Sequence, residues 1–207
     1  MSKIKENLRK FYDQTAGIRD SSTKQDWKIK ERKAFLDAVQ SEGKQTLLEL
    51  GAGAGYDSEF FMENGLIVTA LDLSVEMVKK CKEKSIDAYV LDYYNVETLG
   101  KKFECIWSMN SLLHVPKAEL PQVLKSIDSV LEENGLFYMG VYGGKDSEDE
   151  YINELSEHPR LFSSYTQETL HSILQKQFNV ILFNQYDVGR GETHQFQSIL
   201  MRKRGIA

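Results

Sequence analysis

Cysteine is scarce: Cys81 and Cys105 are the two in 207 residues, with no CxxC pair and no metal-ligand spacing. A disulfide framework is excluded, and a reducing, cytoplasmic setting is expected. Proline is also rare, three in all, and the chain has no low-complexity tract or internal repeat, so residues 1–207 read as one domain. No apolar run approaches the length of a membrane span, and residues 1–14 lack the apolar core of a signal peptide. Positive charge is not in excess either. A net charge of -5 offers no global basic field for nucleic acid or an anionic membrane, and neither is expected as a partner. His158, His171 and His194 are too scattered to suggest a metal site, and no metal is expected.

What is present is a regular alternation of strand and helix. "IKENLRKFYDQ" places Ile4, Leu8 and Phe11 on one helical face, a turn-like gap follows in "TAGIRDSSTK", and a second helix is predicted over about 26–41, stopped by Gly43. These 42 residues read as an N-terminal helical cap. Short apolar strands are then predicted at 46–50, 66–72, 87–92, 103–109 and 136–142, with helices between them. Ser74 is the N-cap expected for one of these helices, and Pro116 and Gly135 mark the start and stop of another. Apolar strands without period-two alternation indicate a parallel sheet covered on both faces. The end differs: a helix at "TQETLHSILQKQ", then strands at 178–184 and 194–203 joined by a polar stretch suited to an antiparallel hairpin.

The chemistry concentrates in "TLLELGAGAGYDSEFF". A dinucleotide fingerprint wants G-x-G-x-x-G, but here Gly51, Gly53 and Gly55 are followed by Tyr56 at the sixth position. Glu49 precedes the first glycine, where it would repel a pyrophosphate. Asp72 ends the second strand 21 residues after Gly51, placed to take both ribose hydroxyls, and Asp92 ends the third within reach of an adenine edge. One carboxylate fits either cofactor. The set of three fits an adenosine with a positively charged tail, which is S-adenosylmethionine.

Four motifs in order resemble those of class I S-adenosylmethionine-dependent methyltransferases of the small-molecule type: "LLELGAGAGY", "ALDLS", "YVLDY" and "FECIWSMNSLLHVP", followed by "LEENGLFYMGVY". The resemblance covers residues 46–142 as the cofactor-binding core, and the terminal helix and hairpin at 166–204 extend it. It implies a doubly wound α/β fold of the Rossmann-like methyltransferase kind, seven strands in the order 3-2-1-4-5-7-6 with the last antiparallel. It also implies roles. Gly51 and Gly53 lie against the methionine part and ribose, and Asp72, with Leu73 beside it, holds the ribose hydroxyls. Asp92 and Tyr93 meet adenine, Ser108 and Asn110 lie under the methionine part, and Tyr12 in "FYDQTA" covers the cofactor. Glu49 is a candidate for the cofactor's amino group or for stabilising the turn.

The implied activity is methyl transfer to a small molecule, leaving S-adenosylhomocysteine. Alignment of an oxygen, nitrogen or sulfur nucleophile with the S–CH3 bond provides most of the gain, up to roughly 7–11 kcal/mol. His114 in "SLLHVP" is the candidate base, or a residue that orients the loop. Substrate residues are sought in 1–30, 143–165 and 185–195, with Arg160, Tyr165, Arg190 and His194 as candidates. The 143–165 segment is expected to form a lid or extra helix, with Asp146 to Glu150 at a helix start. "SMNS" is not the Asn-Pro-Pro-Tyr of nucleic-acid amino-methylating enzymes. An RNA- or protein-directed methyltransferase, a cofactor-binding module without turnover and a nicotinamide-dependent oxidoreductase are the alternatives. The acceptor atom and the oligomeric state are not readable from the sequence.

Overall fold

A computed structural model of the chain describes residues 2–20, 25–189 and 195–205. Two N-terminal helices, α1 (Lys3–Asp20) and α2 (Asp26–Ser41), precede the alternating core. That core runs β1 (Thr46–Leu50), α3 (Tyr56–Glu63), β2 (Ile67–Asp72), α4 (Val75–Glu83), β3 (Asp87–Val90), β4 (Phe103–Met109), α5 (Leu120–Val130) and β5 (Leu131–Gly143). Next come β6 (Ser147–Asn153), β7 (Ser156–Ser164), α6 (Gln167–Leu174), β8 (Phe178–Asp187) and β9 (Gln195–Lys203).

Seven strands form one sheet in the order β3-β2-β1-β4-β5-β9-β8, and β6 pairs with β7 in a separate two-stranded sheet. Strands β1 to β5 are parallel, and β9 runs antiparallel to both β5 and β8. This is the expected order, with the β6–β7 hairpin inserted before the final pair. The central strands are apolar because both faces are covered. Leu47, Leu48 and Leu50 of β1 and Cys105, Ile106 and Trp107 of β4 are all inaccessible. Over one face, Phe35 of α2 and Phe61 of α3 pack with Trp107, which stacks on Tyr138 at 4.1 Å. Helices α5 and α6 bury Val123, Leu124, Ile127, Leu170 and Leu174 in the other main cluster. The chain turns back between β1 and β4, which opens a crevice at their carboxyl ends.

Five local expectations need correction. Helix α1 does not stop at "TAGIRD" but continues to Asp20, because Thr15 and Ala16 are buried against the rest of the molecule. The stretch from Asp146 to Glu150 is not a helix start; Ser147–Asn153 pairs with β7 instead. Strand β3 ends at Val90, which leaves Asp92 in the following turn. Helix α5 starts at Leu120 with Pro121 in its first turn, so Pro116 lies before it. It also ends at Val130, and Asn134 rather than Gly135 takes the left-handed conformation, at the irregularity between Leu131 and Leu136 within β5. Ser74 caps α4 as expected, its hydroxyl accepting from the Met77 amide at 3.1 Å. Among the described residues no helix is long and apolar enough to cross a membrane.

Candidate functional site

The glycine turn joins β1 to α3 and is stitched to the end of β2. The amides of Gly51 and Ala52 both donate to the Leu71 carbonyl, at 2.8 and 2.9 Å. The Gly53 amide donates to Asp72 Oδ2 at 2.8 Å, and the Ser74 amide to Oδ1 at 2.8 Å. Gly51 and Gly53 have φ of 72° and 56°, the left-handed region that side chains disfavour. A Cβ on Gly51 would run into the Ser111 hydroxyl, whereas one on Gly53 would meet nothing within 4 Å. Gly53 therefore presents bare backbone to open space.

That space is a chamber of about 460 Å3 at the carboxyl ends of β1, β2 and β4, with α1 as its far wall. Tyr12, Glu49, Gly51, Gly53, Asp72, Leu73, Tyr93 and Asn110 all line it, so eight of the ten residues assigned to the cofactor come together. Burial pushes the Asp72 carboxyl above its usual value, against the pull of the Ser74 and Gly53 amides. Glu49 is nearly inaccessible and accepts from the Ser58 hydroxyl. The Asn110 amide oxygen is buried without a hydrogen-bond partner. The two remaining residues lie outside this lining. Ser108 is fully buried on β4. Asp92 is half-buried, pairs with Lys5 of α1 at 2.9 Å and accepts from the Tyr94 amide and the Asn95 side chain.

His114 sits in a short 3-10 turn, Leu112–His114, and faces both this chamber and an adjoining one of about 450 Å3. Its Nδ1 lies 2.7 Å from the Leu161 carbonyl, which can only accept, so Nδ1 carries the proton. Nε2 then accepts from the Tyr12 hydroxyl at 2.8 Å. Burial, with smaller contributions from Arg160 and Arg19, drives the imidazole pKa from 6.5 to about 3. Tyr12, Arg19, Lys28 and Asn110 also face both chambers.

The second chamber draws on two of the three segments where substrate residues were sought, 1–30 and 143–165. Arg160 lines it, with its guanidinium 3.9 Å from the Phe11 ring centre. Tyr165 does not: it is buried, with Lys117 over its ring, in the core beneath α6. Arg190 and His194 lie outside the described residues. Sequence reasoning missed Arg19, Lys28, Tyr142 and Lys145, which also line the chamber. For Arg19 the signal was present, since it follows Tyr12 by seven positions and so shares its helical face once α1 is continuous. Among the described residues no group of three His, Cys, Asp or Glu is placed to hold a metal.

Strand order, glycine turn and the carboxylate ending β2 define the class I methyltransferase fold. Residues 47–135 match the methyltransferase domain family. The chain is 34% identical over 121 residues to a malonyl-[acyl-carrier protein] O-methyltransferase of Hamiltonella defensa, a match covering 53% of this chain and 47% of that protein. To glycine N-methyltransferase of Rattus norvegicus it is 30% identical over 122 residues, 49% of this chain and 42% of that one. The chain thus spans just under half the length of these curated relatives. The fold is shared with 1,6-didemethyltoxoflavin-N1-methyltransferase of Burkholderia thailandensis, solved with 1,6-didemethyltoxoflavin and S-adenosylhomocysteine. The TM-score there is 0.73 at 19% identity, over 97% of this chain and 88% of that one.

Proposed function

We propose that the chain is an S-adenosylmethionine-dependent methyltransferase acting on a small-molecule acceptor by in-line displacement. The observation that carries this reading is the pair of adjoining chambers that share Tyr12, Asn110 and His114. The lining of the first chamber fits the cofactor. Gly53 offers bare backbone, Asn110 an unsatisfied amide oxygen, and Asp72 retains acceptor sites beyond the two its amide partners use. Glu49 suits an ammonium. Asp92 can join only if Lys5 gives way, and Ser108 only through its neighbours on β4. The bound sulfonium supplies an already activated methyl group, so the protein's task is alignment.

Tyr12 and His114 act at the junction. With a conjugate-acid pKa near 3, His114 is the neutral imidazole at neutral pH, protonated on Nδ1 alone, and Nε2 is a weak base. Its Nε2 instead fixes the Tyr12 hydroxyl, or the acceptor's own hydroxyl or amine in its place. We therefore assign His114 a positioning role rather than that of a strong base. The chemistry named for the relatives, with O- and N-methyltransferases among them, supports a small acceptor without choosing its atom.

Calorimetry with S-adenosylmethionine, S-adenosylhomocysteine and NAD tests this reading. Saturable binding of the first two and none of NAD is expected, and Asp72→Ala should weaken it by about 1–3 kcal/mol. Binding of NAD alone would return the glycine turn to the oxidoreductase reading. Binding without methyl transfer to any acceptor would leave a cofactor-binding module.

A further inference from the structure

The lining of the second chamber is electrically one-sided. Arg19, Lys28, Lys145 and Arg160 all face it, and among the described residues it contains no aspartate or glutamate. Composition does not produce this, because acidic residues outnumber basic ones, 31 to 26. The adjacent acidic run does not offset it either. Asp146 is paired with Lys117 at 3.1 Å, Glu148 accepts from the Lys117 amide and the Ser163 hydroxyl, and neither belongs to the lining. The Arg160 side chain makes no hydrogen bond or ion pair among the described residues, its backbone pairing being with Tyr151 of β6. Its guanidinium lies over the rings of Phe11 and Phe162, and its Nε is buried without a partner. A guanidinium fixed on an aromatic face, its planar fork unspent, is a ready receptor for a carboxylate or phosphate. Tyr12, Tyr142, Tyr151 and Phe162 supply apolar surface around it.

We propose that the methyl acceptor is a small anion, an apolar or aromatic body carrying a carboxylate or phosphate that Arg160 receives. The inference rests on the methyltransferase reading above, which assigns this chamber to the acceptor. Arg160 grips the anionic group, the aromatic side chains hold the body, and the atom to be methylated lies toward Tyr12 and His114, where the two chambers meet.

The test uses the full chain saturated with S-adenosylhomocysteine, titrated with four probes of similar shape: benzoate, phenyl phosphate, benzamide and benzylamine. At least one anion is expected to bind ten-fold or more tightly than benzamide and benzylamine. Whichever of benzoate and phenyl phosphate is preferred identifies the acidic group. Arg160→Gln should lower that preference by about ten-fold, the scale of one charge-assisted hydrogen bond, and Arg160→Lys should restore part of it. Lys33→Gln removes the same charge from an exposed pair with Asp37 and should change nothing. If Arg160→Gln fails to fold, Lys145→Gln carries the same comparison. Equal binding of benzamide or benzylamine, no binding of either anion, or a preference that survives the substitution would overturn the proposal. Failure of S-adenosylhomocysteine itself to bind would instead overturn the functional reading.

Discussion

Single residues set the character of the site, and His114 is the most consequential. Its pKa falls from 6.5 to about 3 on folding, so between those values the unfolded chain binds the extra proton and the folded one does not. Stability contributed by the neutral imidazole is present above pH 6.5 and is lost as pH falls toward 3, at up to roughly 1.4 kcal/mol per pH unit. Urea unfolding of the wild type and His114→Gln at pH 7 and pH 4.5 should show a smaller acid loss in the variant; identical losses would remove His114 as the source. The two glycines separate packing from binding. Gly51→Ala collides with Ser111 and is expected to lower the melting temperature. Gly53→Ala meets open space and, beyond about 1–2 kcal/mol of backbone strain, should act mainly on cofactor affinity. A melting curve and a cofactor titration of each variant distinguish the two effects.

Among the elements, α1 decides the most and was the least legible in the sequence. The central strands announce themselves because a parallel strand covered on both faces must be apolar throughout, as "TLLEL" is. The glycine turn is equally local, and seven of the eight chamber residues assigned to the cofactor follow from it and from the strand ends, Tyr12 of α1 being the exception. Helix α1 instead crosses Thr15 and Gly17, poor helix formers, and is completed by distant partners: Ser74 donates to Asp13 at 2.6 Å, Ser156 to Gln14 at 2.7 Å and Lys84 to Asp20 at 2.9 Å. The β6–β7 hairpin was hidden for a related reason. Its acidic run resembles a helix start, and it is cross-strand pairing and packing on α1 that make it a sheet. The Lys5–Asp92 ion pair yields a test at this scale. Lys5→Ala frees Asp92; if that carboxylate serves adenine, cofactor affinity should rise, and in Asp92→Ala it should fall. No change in either titration would leave Asp92 as an anchor for α1.

For the molecule as a whole, Glu31 ties the N-terminal cap to the far half of the sheet. Its carboxylate accepts from Tyr138 Oη at 2.8 Å, Tyr186 Oη at 2.6 Å and Ser198 Oγ at 2.5 Å, hydroxyls from β5, β8 and β9. Burial is the main cause that lifts the Tyr138 and Tyr186 phenols above their usual range, and the nearby Glu31 carboxylate adds to it, so both remain neutral donors. Glu31→Ala strands three hydroxyls at once and should cost about 1–3 kcal/mol of global stability, read from denaturant midpoints at unchanged slope. A loss confined to α2, seen in hydrogen exchange with the sheet still protected, would show that the cap unfolds on its own.

The wall shared by the two chambers has a further consequence. Tyr12 and Arg19 of α1 face both chambers, so if the cofactor fills one and the acceptor the other, whatever steadies α1 for one steadies it for the other. The two binding equilibria are then coupled, and the coupling is reciprocal: cofactor product and acceptor analogue must alter each other's affinity by one common factor. Titrations in both orders should return the same factor, greater than one. A factor of one would mean that the helix is already rigid before either ligand arrives.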